Sequence, residues 1–374
     1  MLGKGLDTTE LKKTWLITGG CGMDASLMFD LLLKQGYTNI HGTIRRSATL
    51  NTKNIDHIFD KLCLYYCDLT DSMNVYSIIQ KVSPDYIVHF GALSHVKVAQ
   101  EMEHYTVCVN MLGTLYILQS VRRLGLEKKC KIYHAGTSEQ FGNALTSIAS
   151  RAATNDEKVM LNEESIMKPV SIYGISKKAA QEICDMYRDA YDMFVVSGVL
   201  FNHESSRRGK TFVTQKIAQY VAKYHKNQSQ KEDSVDINLP DFLHPLCLGN
   251  LDAKRDWGCA EEYVKAIYTM LLQDTPKNYV IATGETHSVR EFVETAFRTI
   301  GVNIEWVGKG VNEVGVNKFN KRILVKVDQK YYRDIDIDCL LGDASKAEQD
   351  LGWRHTIPFT DLVENMVKSA IEES

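Results

Sequence analysis

Residues 14–35, TWLITGGCGMDASLMFDLLLKQ, decide the fold. Thr14 to Thr18 is a short apolar run stopped by glycines, and from Ser26 to Gln35 apolar residues recur at helical spacing, so the stretch reads as strand, tight turn, helix. Such a turn binds a dinucleotide only if bare backbone can meet the pyrophosphate, and the residues are small where that is needed. Gly19 and Gly22 permit the turn and the close approach, and Ala25 lets helix and strand pack. The helix N-terminus offers unpaired N–H groups and a positive dipole end. A glycine cluster alone is equally the mark of an ordinary turn.

Outward from this unit the pattern repeats. Asn39 to Ile44, Leu62 to Tyr66, Tyr86 to Phe90 and Lys131 to His134 read as strands with helix-like segments between them, and Tyr279 to Ala282 as one more. Alternation of this kind specifies an α/β protein, a doubly wound parallel (Rossmann) sheet covered on both faces. After Phe201 the alternation weakens, and helices near Val289 to Ile300 and Phe359 to Ile371 close the chain. We expect a dinucleotide domain over 12–200 with a later contribution near 250–285. A smaller, discontinuous C-terminal substrate lobe would span 201–249 and 286–374. Ala144 to Lys168 and Lys226 to His244 are polar and read as surface insertions.

Composition narrows the class. With 374 residues, 44% hydrophobic and 24% charged, the chain can bury a sizeable core, and a formal charge of −3 gives no support to a nucleic-acid surface. The nine cysteines show no metal-ligand spacing, so no metal is expected. The first residues lack the apolar stretch of a signal peptide, and no apolar run nears the roughly 20 residues that cross a bilayer. A soluble cytoplasmic protein with reduced thiols and no membrane partner is the expectation.

Two further clusters carry chemistry. An NAD-type site places an acid about 20 residues beyond the glycines, but here Arg45 and Arg46 occupy that region and the next acid is Asp56. Arginines suit a ribose 2′-phosphate, hence NADP; a solvated surface pair is the plainer alternative. Asp68 to Asp71 (DLTD) follows the third strand, where an adenine edge would reach the sheet. Tyr173 and Lys177 stand four apart at the head of a predicted helix and so share a face. A fixed ammonium eases loss of the phenol proton, which makes Tyr173 a credible acid or base. Thr137 and Glu139, after a strand, would point the same way if the backbone stays extended; a helix cap is the alternative for this pair.

In that order these residues resemble the extended short-chain dehydrogenases/reductases. Longer strings are similar to the GDP-mannose 4,6-dehydratases: FGALSHV (Phe90 to Val96), GTSEQFG (Gly136 to Gly142), LFNHESSRRGKTFVTQKI (Leu200 to Ile217), LGNLDAKRDWG (Leu248 to Gly258), VIATGETHSVREFV (Val280 to Val293) and LLGDASKAEQDLGW (Leu340 to Trp353). The resemblance implies a lyase acting on GDP-mannose by internal hydride transfer through tightly bound NADP and elimination of water. Tyr173, Lys177 and Thr137 would handle the C4 hydroxyl, and Glu139 would take the C5 proton. It implies cofactor contacts from Gly19, Gly22, Asp24, Arg45, Arg46, Ser47, Asp68, Leu69, Ser94, Tyr105, Lys177, His203 and Arg208. Substrate contacts would come from Asn202, Lys216, Arg255 and Arg333. The segment Arg45 to Lys53 resembles a loop that reaches a neighbouring subunit, which implies a homo-oligomer, a tetramer or a dimer.

The chain departs from that pattern in the first turn at Gly20, Cys21, Met23 and Ala25, which bears on cofactor affinity, and at Leu93, Ser206, Asp334 and Asp336, which with the two insertions bear on the exact sugar more than on the reaction type. A 4,6-dehydratase of another GDP-sugar, or a related epimerase or reductase, stays open, as does a non-catalytic NADP(H)-binding regulator. Glu139 bears on this choice, because elimination needs a carboxylate that epimerisation does not.

Overall fold

The computed structural model describes residues 7–49, 51–144, 159–231, 244–332, 337 and 339–374. The opening stretch folds as read, into strand β1 (Trp15–Thr18) and helix α1 (Met23–Gln35). The helix begins ahead of its apolar spacing because Gly22, in extended conformation, serves as N-cap. Six more strands complete the sheet: β2 (Ile40–Ile44), β3 (Cys63–Tyr66), β4 (Tyr86–His89), β5 (Lys131–Ala135), β6 (Val195–Leu200) and β7 (Tyr279–Ile281). Their order is β7-β6-β5-β4-β1-β2-β3 and every pairing is parallel. This is the doubly wound sheet expected, with its switch point between β1 and β4.

Strand β6 went unread. Its run VVSGVL is buried at every residue, so it shows no alternation, and it follows a long helix almost directly. Asp192, at φ 51°, turns the chain out of that helix.

Each face of the sheet is sealed by apolar helices. On one side Phe29 and Leu32 of α1 pack in the same core as Tyr263, Ile267 and Leu271 of the helix Ala260–Leu271. On the other, Ile78 and Ile79 of α2 (Ser72–Val82), Ile117 and Val121 of α3 (Gly113–Arg123) and Cys184 and Tyr187 of α4 (Ile172–Tyr191) meet Leu16, Ile87 and Ile132. At about 25 cal/mol per Å2, burial of such side chains contributes roughly 1.5–3 kcal/mol each.

The chain divides into two compact units. One comprises Met1–Asn202, Ala260–Gly284 and Leu341–His355; the other His203–Cys259, Glu285–Leu340 and Thr356–Ser374. The return to the first unit therefore begins at Ala260, later than the expected 250. Residues 341–355, assigned from sequence to the smaller lobe, lie in the first unit, where Trp353 donates from Nε1 to the Glu262 carbonyl at 2.8 Å. Within the second unit the strands Ile304–Val307, Val314–Asn317, Ile323–Val327 and Leu246–Leu248 form one sheet in that order. Its core joins the helices Val213–Lys231, Val289–Arg298 and Phe359–Glu373 through Val221, Phe292 and Val363. The expected insertions lie largely outside the described residues.

Candidate active site

The crevice at the switch point is made of backbone. Gly19 sits at φ 74°, and a Cβ there would lie 3.0 Å from the Gly91 nitrogen, so the turn after β1 touches the turn after β4. Gly91 in turn has no room for a side chain: its Cβ would lie 2.6 Å from Leu69 Cδ1. Gly22 is exposed at the start of α1, with no side-chain cap among the described residues, which leaves the helix N–H groups facing outward. Gly19→Ala is expected to cost about 1–2 kcal/mol from backbone handedness alone, with a further cost from the contact with Gly91. Urea unfolding measures it, and an unchanged midpoint would refute this account of the turn.

The second half of the site is a short turn set against α4. Thr137 caps a one-turn helix, Ser138–Gln140, accepting from the Glu139 N–H at 3.3 Å. The extended backbone expected for Thr137 to Glu139 is therefore not found; the cap is. Because Thr137 Oγ1 accepts from within the turn, its own proton is available elsewhere. Ser171 caps α4 by accepting from the Gly174 N–H at 3.1 Å, and Tyr173 and Lys177 follow, both buried. A Cβ on Gly174 would lie 2.6 Å from the Glu139 carbonyl oxygen, so bare backbone is what lets the Glu139 turn sit against the helix head. Thr137, Glu139, Tyr173 and Lys177 are thus brought together on adjoining segments.

Asn110, unmarked by any sequence pattern, ties this region to the crevice. It sits in a widened π-type turn, Cys108–Leu112, a local irregularity that often accompanies function. Its carboxamide accepts from Leu93 N at 2.8 Å and donates to Leu93 O at 3.2 Å and to Ser176 Oγ at 3.0 Å.

Below Lys177 runs a polar row through the sheet. Thr18, His89, His134 and Ser197 are register neighbours on β1, β4, β5 and β6, all buried. Thr18 Oγ1 and His89 Nδ1 are 2.7 Å apart, and His134 Nδ1 and Ser197 Oγ 3.2 Å. Thr114 Oγ1 donates to Asn110 O at 2.7 Å and lies 3.2 Å from His89 Nε2, which assigns the proton of a neutral His89 to Nε2. Burial, and then the Lys177 charge, push His89 down to about 3; burial, Lys177 and His89 hold His134 well below its usual range. Lys177 donates from Nζ to Ala135 O at 2.8 Å, and burial pushes its ammonium down to about 8.

The remaining expected residues fall as follows. Asp24 lies in the first turn of α1, and Arg45, Arg46 and Ser47 are exposed directly after β2. Asp68 is exposed and accepts from Thr70 N at 2.9 Å, while Leu69 packs against Gly91 and Gly113. Ser94 is exposed and Tyr105 half-buried on the helix Glu103–Val107. Asn202 and His203 are half-buried on the strand Asn202–Glu204. In the second unit Arg208 pairs with Glu204 at 3.1 Å and lies over Phe212. Lys216 donates to Cys247 O at 2.6 Å, and Arg255 to the carbonyls of Lys254 and Ile337 at 2.9 and 2.6 Å. Arg333 lies outside the described residues.

A glycine-built switch point beside a helix carrying Tyr173 and Lys177 defines a protein of the short-chain dehydrogenase/reductase class. Comparison with known proteins narrows this. A family model described as GDP-mannose 4,6 dehydratase matches residues 16–366. The chain is 42% identical to GDP-mannose 4,6 dehydratase of Drosophila melanogaster, over 98% of this chain and 88% of that protein. It is also 42% identical to that of Homo sapiens, over 96% and 91%. The chain belongs to the GDP-mannose 4,6-dehydratase family. Solved structures share its fold. DesIV, a dTDP-glucose 4,6-dehydratase from Streptomyces venezuelae with NAD and TYD bound, superposes with a TM-score of 0.73 at 19% identity, covering 96% of this chain and 97% of that one. RMD from Pseudomonas aeruginosa, complexed with NADPH, gives 0.70 at 17%, covering 97% and 99%.

Proposed function

We propose that this chain is a lyase that converts GDP-mannose to GDP-4-keto-6-deoxymannose with NADP as a retained cofactor. The observation that carries the reading is the Glu139 turn, whose backbone carbonyl lies against Gly174 at the head of the Tyr173–Lys177 helix; on this reading the Glu139 carboxylate serves the same substrate as the phenol and the ammonium. Family membership agrees with it.

The residues fit a dinucleotide: a cradle that a Cβ would fill at Gly19 and Gly91, an open helix N-terminus at Gly22, and exposed Arg45 and Arg46 for a 2′-phosphate. When bound, NADP supplies a place for the hydride taken from C4 and returned at C6, so turnover needs no external reductant. The chain's own residues do the proton work. Tyr173, its phenolate favoured by the Lys177 ammonium, takes the C4 hydroxyl proton, while the Thr137 hydroxyl makes a hydrogen bond to the same oxygen and keeps its proton. The C4 ketone acidifies C5–H. Glu139 takes that proton and delivers one to the C6 hydroxyl, which leaves as water; the proton that Tyr173 took from the C4 hydroxyl then goes to C5, so that the 4-keto-6-deoxy product balances. Asn202, Lys216, Arg255 and Arg333 are assigned to the substrate's nucleotide, whose diphosphate the three cationic side chains suit.

We place the enzyme in the cytoplasm as a homo-oligomer, a tetramer by its resemblance. All nine cysteines are unpaired, and among the described residues no helix is long and apolar enough to cross a membrane. Helix α4 presents Ile175 and Met186 exposed and about three turns apart, on one face suited to a second copy. The test is incubation with GDP-mannose and catalytic NADP+, followed by mass spectrometry. The expected product has lost one water and far exceeds the cofactor in amount. Unchanged sugar, or product limited to the amount of cofactor, would defeat the proposal.

A further inference from the structure

Gln140 and Gln181 are separated by 41 positions in sequence and joined by a hydrogen bond, Gln140 Nε2 donating to Gln181 Oε1 at 2.8 Å. Gln140 is fully buried, and its carboxamide is used at both ends. Oε1 accepts from Thr137 N at 2.8 Å, closing the turn that contains Glu139, and Nε2 also donates to Met167 Sδ at 3.4 Å. Gln181 stands four residues beyond Lys177 and eight beyond Tyr173, so the three share one stripe of α4. The pair therefore runs from the Glu139 turn to the helix that carries the phenol and the ammonium.

Two further observations set this pair apart from ordinary core filling. Gly136 lies beneath it, where a Cβ would sit 3.0 Å from Gln140 Oε1 and 3.4 Å from Gln181 Oε1, so bare backbone makes room for both amides. On the far side Gln181 and Met167 line a cavity of about 340 Å3, together with Asp185 and Arg188. Directional bonds to both amides hold the link in place.

We propose that Gln140 and Gln181 act as positioning residues, a strut that holds the Glu139 carboxylate in register with Tyr173 and Lys177 for the elimination of water. This rests on the assignment of Glu139 as base. Without the strut the turn can shift against the helix, and a displacement near 1 Å costs on the order of 100-fold in rate. The oxidation at C4, driven from the helix itself, suffers less than the removal of the C5 proton.

Gln140→Met and Gln181→Met keep side-chain length and remove the link. Each is expected to lower kcat for dehydration about 10- to 100-fold with KM unchanged. Gln140→Met, which also loses the bond from Thr137 N, should be the slower single variant, and the double should be no slower than it, since the bond between the two amides is already broken there. Deuterium uptake at sugar C5 should fall in step with kcat while reduced nicotinamide accumulates. Without substrate, amide hydrogen exchange over 137–142 should quicken. Gln181→Glu keeps the acceptor and should restore the wild-type rate. If Gln181→Met fails to fold, Gln181→Asn withdraws the acceptor by one bond and carries the same expectation. Wild-type kcat in the Met variants, additive losses in the double, or equal slowing of oxidation and elimination would overturn the strut. If wild-type protein forms no dehydrated product, the functional reading itself fails.

Discussion

Glu139→Gln leaves nucleotide binding intact and slows dehydration about 10²–10⁴-fold, the range that a positioned general base supplies. The amide has the shape of the carboxylate, and the turn is held by the Glu139 backbone N–H, which the substitution does not touch. What disappears is the capacity to accept the C5 proton. Quenched-flow mass spectrometry follows release of water, and solvent deuterium uptake at C5 isolates the proton step. A variant that dehydrates at the normal rate would remove Glu139 from the chemistry and reopen the epimerase or reductase reading.

The second large effect concerns Lys177, whose replacement by Met should reduce kcat about 10²–10⁴-fold by removing the charge that favours the Tyr173 phenolate. In the unsubstituted enzyme the same charge titrates within reach. The titratable groups that feel its charge are His89 from β4, His134 from β5 and Cys184 from its own helix, and Tyr173 stands one turn before it. With the ammonium down to about 8, activity should decline as pH rises through 8. Stability should move the other way. Between about 8 and the ordinary lysine value of 10.5 the unfolded chain holds the proton that the native one has shed. Unfolding free energy therefore climbs there by up to about 1.4 kcal/mol per pH unit. His89 has the same sign at lower pH: its folded value near 3 lies below the ordinary 6.5, so stability drains away as pH falls through that window. A pH–rate profile beside pH-dependent urea unfolding tests both slopes. Parallel slopes above pH 8 would exclude a buried, titrating Lys177.

Much of this was legible in the chain. The alternation from Thr14 to His134 announced a parallel sheet because each strand's burial is local to its own residues, and Tyr173 with Lys177 announced a shared face because helical spacing is periodic. What stayed hidden depends on tertiary partners. Val195 to Leu200 is buried on both sides and so lost its period. Thr137 to Glu139 looked extended until the Gln140 side chain folded back to close the cap. Asn110, Gln140 and Gln181 carry no local signature, for their partners lie 17 to 66 and 41 residues away. The return of 341–355 to the first unit likewise rests on a tryptophan finding a carbonyl 91 residues earlier.

The sheet's last strand and the helix Ala260–Leu271 arrive late in synthesis. Until that helix emerges from the ribosome, the greasy flank of α1 around Phe29 and Leu32 has no lid. At 5–20 residues per second the sixty residues between Leu200 and Ala260 take roughly 3–12 s. A nascent chain of this protein thus passes through an interval of exposed apolar surface in which it is a client for holdase chaperones, and a truncation upstream of Ala260 is expected to aggregate.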